Sequence, residues 1–329
     1  MNINRRSFLV SSAVAAGSAL ALGDAASVAT AASGASLKPK RKPIKLGIAT
    51  YSYWHFRTEK VSIETCMDNA AALGVAGVDI LHRQMAIDEK APLDAAGRSY
   101  LRKLKRHAFG HGLSVCCVST HQTFVTPKAE VLEQNVEHTK KCIEIAYELG
   151  CPCIRINTGR WGTAKDFDEL MANKGVEPVL PGHTEEDGFK WCIEGITRCL
   201  PRAEECGVVL ALENHWGLAR TPEGLLRVLN SIQSPWLGGL MDTGNFLFPP
   251  YKEAAYEQLA QIAPKAVYVQ AKTYPGGGEW YELDIDYKRI AKMLGDAGYG
   301  GWVALEMEGK QNPAIAVPAS IERLRKAFA

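Results

Sequence analysis

The stretch Val208 to Trp216, VVLALENHW, is a wholly apolar run that ends in a carboxylate, an amide and an imidazole. Val208 to Leu212 shows no polar alternation, which is the pattern of a parallel strand covered on both faces. The plan recurs three times: LGGLMDTGN carries Asp242, AVYVQAK carries Gln270 and WVALEMEGK carries Glu306. Successive copies lie about 30 residues apart, the length of a strand, a helix and a return loop in a βαβ unit. A parallel sheet closed into a barrel opens all its C-terminal strand ends on one face, where active sites are built. Glu213, Asp242, Gln270 and Glu306 are therefore expected to converge.

The remaining chain fits the same plan. Ile44 to Thr50, Gly77 to Leu81, Leu113 to Ser119 and Cys153 to Asn157 read as the first four strands, and Val208 to Leu212, Leu237 to Met241, Ala266 to Ala271 and Trp302 to Leu305 as the last four. Helical patterns span Ser62 to Leu73, Asp94 to His111, Lys128 to Leu149, Gly188 to Cys206, Thr221 to Asn230, Lys252 to Ala263, Asp286 to Ala297 and Ala314 to Phe328. The fold class is α/β, a single (β/α)8 barrel over residues 44–329. Trp161 to Gly182 is a long loop with a weak helical pattern around Phe167 to Asn173, placed where barrels carry lids.

The 329 residues exceed the ~250 that one such barrel takes, and the surplus lies at the N-terminus. There, Asn4-Arg5-Arg6-Ser7-Phe8-Leu9 and an Ala-rich apolar run to Leu22 have the pattern of a twin-arginine export signal. Residues 1–35 are read as that signal with a loose segment, which predicts a periplasmic protein. No other run approaches the ~20 apolar residues of a membrane span, so no membrane contact is expected after signal removal. The 38 basic and 36 acidic residues leave a charge of +2, with no basic block beyond Lys38 to Lys45, which argues against nucleic acid as a partner. Nine cysteines match no zinc template or disulfide framework; Cys151 with Cys153, and Cys199 with Cys206, are the pairs an oxidising compartment would allow, but buried free thiols are the preferred reading.

Three carboxylates and an amide oxygen form a hard, oxygen-only donor set. It suits Mn²⁺ first, with Mg²⁺ or Co²⁺ as alternatives, and a cation removes the repulsion among the acids. Glu213 and Glu306, on non-adjacent strands, suit proton transfer beside a carbonyl through an enediolate, one removing the proton and the other returning it. If the enediolate instead expels a β-substituent, the same residues make a lyase. For the substrate, Tyr51, Tyr53, Trp54, His55 and Phe56 after the first strand either plug the barrel or offer a stacking wall for a ring, with Tyr53 and Trp54 the expected contacts. His82 and His121 follow strands two and three, and Arg155 points inward from strand four, where it braces a carboxylate or holds substrate oxygens. His215, Lys272 and Glu308 each lie two residues beyond a candidate ligand and share its face. The loop Pro275-Gly276-Gly277-Gly278 either binds phosphate or carries Trp280 and Tyr281 to the substrate.

ALENHWG, LMDTGN, VYVQAKTY and VALEMEGK, in that order, resemble the xylose-isomerase-like barrel superfamily, in its tagatose 3-epimerase, hydroxypyruvate isomerase and inosose dehydratase branch. The likeness covers Ile44 to Phe328. It implies a divalent metal held by Glu213, Asp242, Gln270 and Glu306, with the two glutamates as the acid/base pair. Gln270 stands where that family has His, and Asn245 stands where its DTxH-type motif has a substrate-contacting His. The resemblance also implies a small carbohydrate substrate, unphosphorylated or oxidised in an exported member, and a homodimer or other homo-oligomer. The leading reading is a sugar isomerase or epimerase. The alternatives are a lyase or dehydratase on a keto-sugar or 3-keto-glycoside, and a non-catalytic periplasmic carbohydrate-binding barrel. An endonuclease-IV-like repair enzyme shares the barrel type, but the near-neutral charge and the lack of a His-rich cluster argue against it.

Overall fold

The computed structural model describes residues 43–329 apart from 57, 246–251 and 280–282. Residues 1–35, read from the sequence as an export signal, and Trp280 and Tyr281 lie outside the described residues. Eight parallel strands close into one barrel in chain order: β1 (Lys45–Ala49), β2 (Gly77–Leu81), β3 (Ser114–Ser119), β4 (Cys153–Ile156), β5 (Val209–Glu213), β6 (Leu237–Asp242), β7 (Ala266–Thr273) and β8 (Trp302–Met307), which pairs back with β1. All eight coincide with the apolar runs, because a strand covered by helices outside and by the packed barrel inside must be apolar on both faces.

The helices are α1 (Ile63–Ala72), α2 (Ala95–Gly110), α3 (Ala129–Leu149), α4 (Phe167–Ala172), α5 (Glu185–Cys206), α6 (Pro222–Ser231), α7 (Lys252–Ile262), α8 (Tyr287–Asp296) and α9 (Pro313–Phe328). Polar side chains accept the first-turn N–H groups at most starts: Ser62, Asp94, Thr221, Asp286 and Asn312 cap α1, α2, α6, α8 and α9. Helix α5 begins three residues before the expected Gly188, because Thr184 and Asp187 form a reciprocal capping box that draws the acidic turn into the helix. The weak pattern in the long loop is realised as α4, capped by Asp166. All nine cysteines are free thiols, eight of them buried, and no helix of the described residues is long and apolar enough to cross a membrane.

The main core lies between strands and helices, and a second cluster fills the barrel interior. That interior cluster includes Cys117, Cys153, Ala211, Leu240, Tyr268 and Ala304. Each lies two residues before a polar side chain, respectively Ser119, Arg155, Glu213, Asp242, Gln270 and Glu306. Strand alternation therefore places a polar layer directly above an apolar plug.

Candidate active site

A cavity of about 680 Å³ opens at the C-terminal mouth of the barrel. Glu213, Asp242 and Glu306 each bring one carboxylate oxygen within 4.8 Å of the others, and the three residues are only 1%, 0% and 5% exposed. Three of the four residues expected to converge are thus together, and Gln270 lies on the intervening strand β7.

Each acid is held differently. Glu213 accepts from the amide Nδ2 of Asn157 at 2.8 Å and of Asn245 at 3.0 Å, while Arg155 Nη1 lies 3.5 Å from its Oε2. Asp242 Oδ1 accepts the backbone N–H of Gly244 and Asn245 at 2.7 and 2.9 Å, an Asx-type turn that explains the run DTGN. Asn214 exchanges two hydrogen bonds with the Asp242 backbone and ties the end of β5 to that of β6. Burial pushes the Asp242 carboxyl well above the usual range, opposed by the nearby Lys272 charge. Lys272 donates to Glu308 at 2.7 Å, with its ammonium 3.6 Å from Glu306 Oε2 and 3.8 Å from Asp242 Oδ2. A Cβ at position 244 would meet the Lys272 Cδ at 2.8 Å, so Gly244 leaves room for the lysine.

Gln270 is fixed by a group that the sequence reading passed over. Its Nε2 donates to Asp79 Oδ2 at 2.9 Å and to Ser119 Oγ at 3.1 Å, while Ser119 Oγ donates to Asp79 Oδ1 at 2.8 Å. The Ser119 proton goes to Asp79, so its lone pairs face Gln270, and both neighbours present acceptors to the amide. The amide orientation follows, with the Gln270 carbonyl oxygen turned away from them. Asp242 Oδ2, Gln270 Oε1 and Glu306 Oε2, on three consecutive strands, are buried and have no hydrogen-bond partner among the described residues. The Lys272 ammonium offsets part of the charge on Asp242 and Glu306, but burying three such oxygens without hydrogen bonds stays unfavourable unless something takes their lone pairs. A hard divalent cation does so, and with Glu213 the residues present fit one.

Asp79 was legible as a lone acid inside the apolar strand GVDIL. Burial pushes its carboxyl up to about 6, against hydrogen bonds from Ser119 and Gln270 and the Arg155 charge. An unfolded Asp titrates near ~3.9. In the metal-free protein the folded state keeps this proton between about pH 4 and 6, after the unfolded chain has lost it. The group's contribution to stability is full below about pH 4 and is lost as pH rises through about 6. The displacement corresponds to about 3 kcal/mol. Asp79→Asn should flatten this descent in urea unfolding from pH 4 to 8; a wild-type slope in the variant would place the titration elsewhere.

The cavity is also lined by His121, Arg155, His215, Asn245, Lys272 and Glu308. Arg155 donates to the Thr120 carbonyl at 3.2 Å and to His121 Nε2 at 3.1 Å, which puts the His121 proton on Nδ1. Burial, followed by the Arg155 charge, pushes both His121 and His215 well below the usual histidine range, so both rings are neutral. Asn245 directs its amide to Glu213 and so braces that acid, a role beyond the substrate contact expected of it.

Tyr53, Trp54 and His82 are not among the cavity's lining residues. Tyr53 is buried, and Trp54 donates its indole N–H to the Thr58 carbonyl at 3.0 Å. His82 lies with Nδ1 3.0 Å from the Ser119 carbonyl and Nε2 2.8 Å from Glu89. The physical reason is shared: short 3₁₀ turns, Thr50–Tyr53 and His82–Gln84, follow β1 and β2. Side chains there rotate by a third of a turn per residue instead of alternating. Tyr51, His55, Phe56 and Arg83 line the cavity from these stretches.

The long loop does cover the mouth, with Phe167 and Met171 of α4 reaching the cavity. Leu170, Met171 and Trp216 make a small separate apolar cluster. Gly175, at φ +73°, allows that packing, because a Cβ there would lie 2.4 Å from the Trp216 ring. The glycine loop after β7 spends its Gly277 N–H on the Tyr274 carbonyl, and its carbonyls accept from Lys310 and Gln311.

Residues 67–327 match the sequence model of the family described as "Xylose isomerase-like TIM barrel". The chain is 25% identical over 308 residues to inosose dehydratase of Geobacillus thermodenitrificans (strain NG80-2), covering 85% of this chain and 94% of that one. Among solved structures, 3-keto-D-glucoside 4-epimerase from E. coli superposes with a TM-score of 0.65 at 16% identity, over 86% of this chain and 99% of that one. D-psicose 3-epimerase from Clostridium cellulolyticum H10 gives a TM-score of 0.65 at 15% identity, over 87% and 99%. These two likenesses are of fold.

Proposed function

The chain belongs to the xylose isomerase-like TIM barrel family, and from that premise we propose that it is a divalent-metal-dependent sugar isomerase or epimerase. The carrying observation is the pair Glu213 and Glu306, on non-adjacent strands of one cavity and beside Asp242, with buried oxygens of Asp242, Gln270 and Glu306 left without hydrogen-bond donors among the described residues. The proposed ligands are Glu213, Asp242, Gln270 and Glu306, and the proposed ion is Mn²⁺. When bound, it would polarise a substrate carbonyl and acidify the adjacent C–H. Inosose dehydratase, 3-keto-D-glucoside 4-epimerase and D-psicose 3-epimerase, the proteins it is similar to, all carry sugar or cyclitol names. That agreement supports an unphosphorylated sugar or keto-sugar as the substrate.

The residues divide the work as follows. Glu213, oriented by Asn157 and Asn245, takes the proton from the acidified carbon, and Glu306 returns one. Lys272 lies within 3.8 Å of Asp242 and Glu306 and can follow the oxygen whose charge changes. The neutral imidazoles of His121 and His215 hold hydroxyl groups, and the helix α4 lid with Trp216 limits water at the reacting carbon.

A lyase on a keto-sugar or 3-keto-glycoside is the second reading, favoured by the match to inosose dehydratase along most of both chains. It uses the same proton abstraction, followed by loss of a β-substituent. Incubating Mn²⁺-loaded protein with ketoses, aldoses and 3-keto-glucosides separates the two. A new isomer of equal mass supports the first reading, and an ultraviolet-absorbing unsaturated product supports the second.

The proposed site of action is the periplasm. Arg5→Lys with Arg6→Lys should leave the protein in the cytoplasm on cell fractionation. Unchanged export of that variant would remove the twin-arginine route from the proposal.

A further inference from the structure

Besides the barrel mouth, the described residues hold one more group of converging ligand atoms, on the outer helical layer. Asp68 lies on α1, and His107 and His111 lie on the last turn of α2 and at its C-cap. Residues four apart on a helix share a face. The two imidazoles accordingly stand 4.8 Å apart between ring centroids. Both Nε2 atoms lie beside one oxygen: His107 Nε2 is 2.7 Å from Asp68 Oδ1 and hydrogen-bonded to it, and His111 Nε2 is 3.0 Å away. Asp68 and His111 are exposed and His107 is half-buried, so the cluster is open to solvent.

We propose that Asp68, His107 and His111 form a second divalent-metal site, selective for Zn²⁺, Ni²⁺ or Cu²⁺ over Mn²⁺ or Mg²⁺. Two imidazoles and one carboxylate are the donors that suit those borderline ions, whereas the oxygen-only set in the mouth suits hard ones. A tetrahedral ion with bonds of about 2.0–2.1 Å keeps its donors about 3.3 Å apart. His107 Nε2 and His111 Nε2 therefore need to draw back from Asp68 Oδ1 by about 0.6 and 0.3 Å to admit one, and all three ligand atoms already lie within 4.8 Å of one another. Their position adds a second favourable term, since the C-terminal end of α2 carries partial negative charge that attracts a cation. Without an ion, the hydrogen bond between His107 Nε2 and Asp68 Oδ1 holds the donors together, with His111 Nε2 beside the same oxygen. A ligating imidazole offers a bare nitrogen, so binding displaces the His107–Asp68 hydrogen bond that preorganises the donors. Three protein donors leave a fourth position for water or for a side chain of another molecule. A bound ion would cross-link α1 to α2 on the outside of the barrel and stabilise the fold.

The test uses the untagged full chain. Wild type and the His107→Ala/His111→Ala variant are stripped with chelator and equilibrated with a small excess of Zn²⁺. They are then desalted and assayed for bound zinc by elemental analysis. The expected result is one equivalent less in the variant, loss of the Ni²⁺-induced rise in melting temperature, and an unchanged Mn²⁺ affinity at the mouth. The single variant His111→Gln, whose exposed position makes misfolding a poor explanation, should weaken Zn²⁺ binding about 10-fold or more. Equal zinc content in wild type and double variant, with the same Ni²⁺ response, would overturn the proposal.

Discussion

Glu306→Gln is expected to reduce turnover by about 10²- to 10⁴-fold while leaving the protein folded. Gln keeps the size and one carbonyl oxygen of Glu but cannot carry a proton, and a positioned acid or base contributes about that factor. It corresponds to roughly 3–5 kcal/mol of barrier. Glu306 is the better probe of the two glutamates. Its Oε2 accepts no hydrogen bond among the described residues, so the substitution removes the 3.6 Å ion pair with Lys272 but sets no amide against another. At Glu213 both oxygens accept amide N–H groups, and Glu213→Gln would set an NH₂ against Asn157 or Asn245. That variant should lose both activity and local order. The assay is kcat at matched metal content, and wild-type turnover in Glu306→Gln would remove it from the acid/base pair.

The second large effect concerns the metal. Asp242→Ala should weaken Mn²⁺ binding by well over ~100-fold, and chelation of wild type should abolish turnover until Mn²⁺ is restored. Gln270→Leu should weaken binding less, because the lost donor is neutral. Asp79→Ala should fall in the ~10–100-fold range typical of groups that orient a ligand, since it frees the Gln270 amide to turn. The order of these losses, read by titration of free Mn²⁺, is the content of the prediction. Wild-type affinity in Gln270→Leu would remove Gln270 from the ligand set. The pH dependence has a definite sign. Burial holds the Asp242 carboxyl well above its ordinary value, and the ion requires the carboxylate. Mn²⁺ affinity should therefore rise with pH as that proton is lost, and fall in acid.

What was legible in the chain follows from periodicity. Continuous apolar runs at regular spacing define parallel strands buried on both sides, and strand alternation then places Glu213, Asp242, Gln270 and Glu306 in one layer without any further information. The same rule carries Arg155 and Lys272 to the cavity, and His215 and Glu308, just past the ends of β5 and β8, line it as well. It fails at Tyr53, Trp54 and His82, because alternation ends where the strand ends and the chain turns into a 3₁₀ helix. Asp79 was missed for the opposite reason. It lies inside a strand and not at its end, and only the pairing of β7 with its neighbours around the closed barrel brings Gln270, 191 residues away, to its side. The bracing of Glu213 by Asn245 is likewise a contact between the ends of two strands that no local pattern encodes.

Proton nuclear magnetic resonance in D₂O addresses the central claim most directly. The Mn²⁺-loaded protein is incubated with free ketoses, aldoses and 3-keto-glucosides, and the sugars are recovered free of metal before measurement. Deuterium on the carbon next to the carbonyl in recovered or isomerised sugar is the predicted result, absent in Glu306→Gln. Recovery of every sugar without deuterium and without a vinylic product, from protein shown to hold its metal, would contradict proton transfer by Glu213 and Glu306.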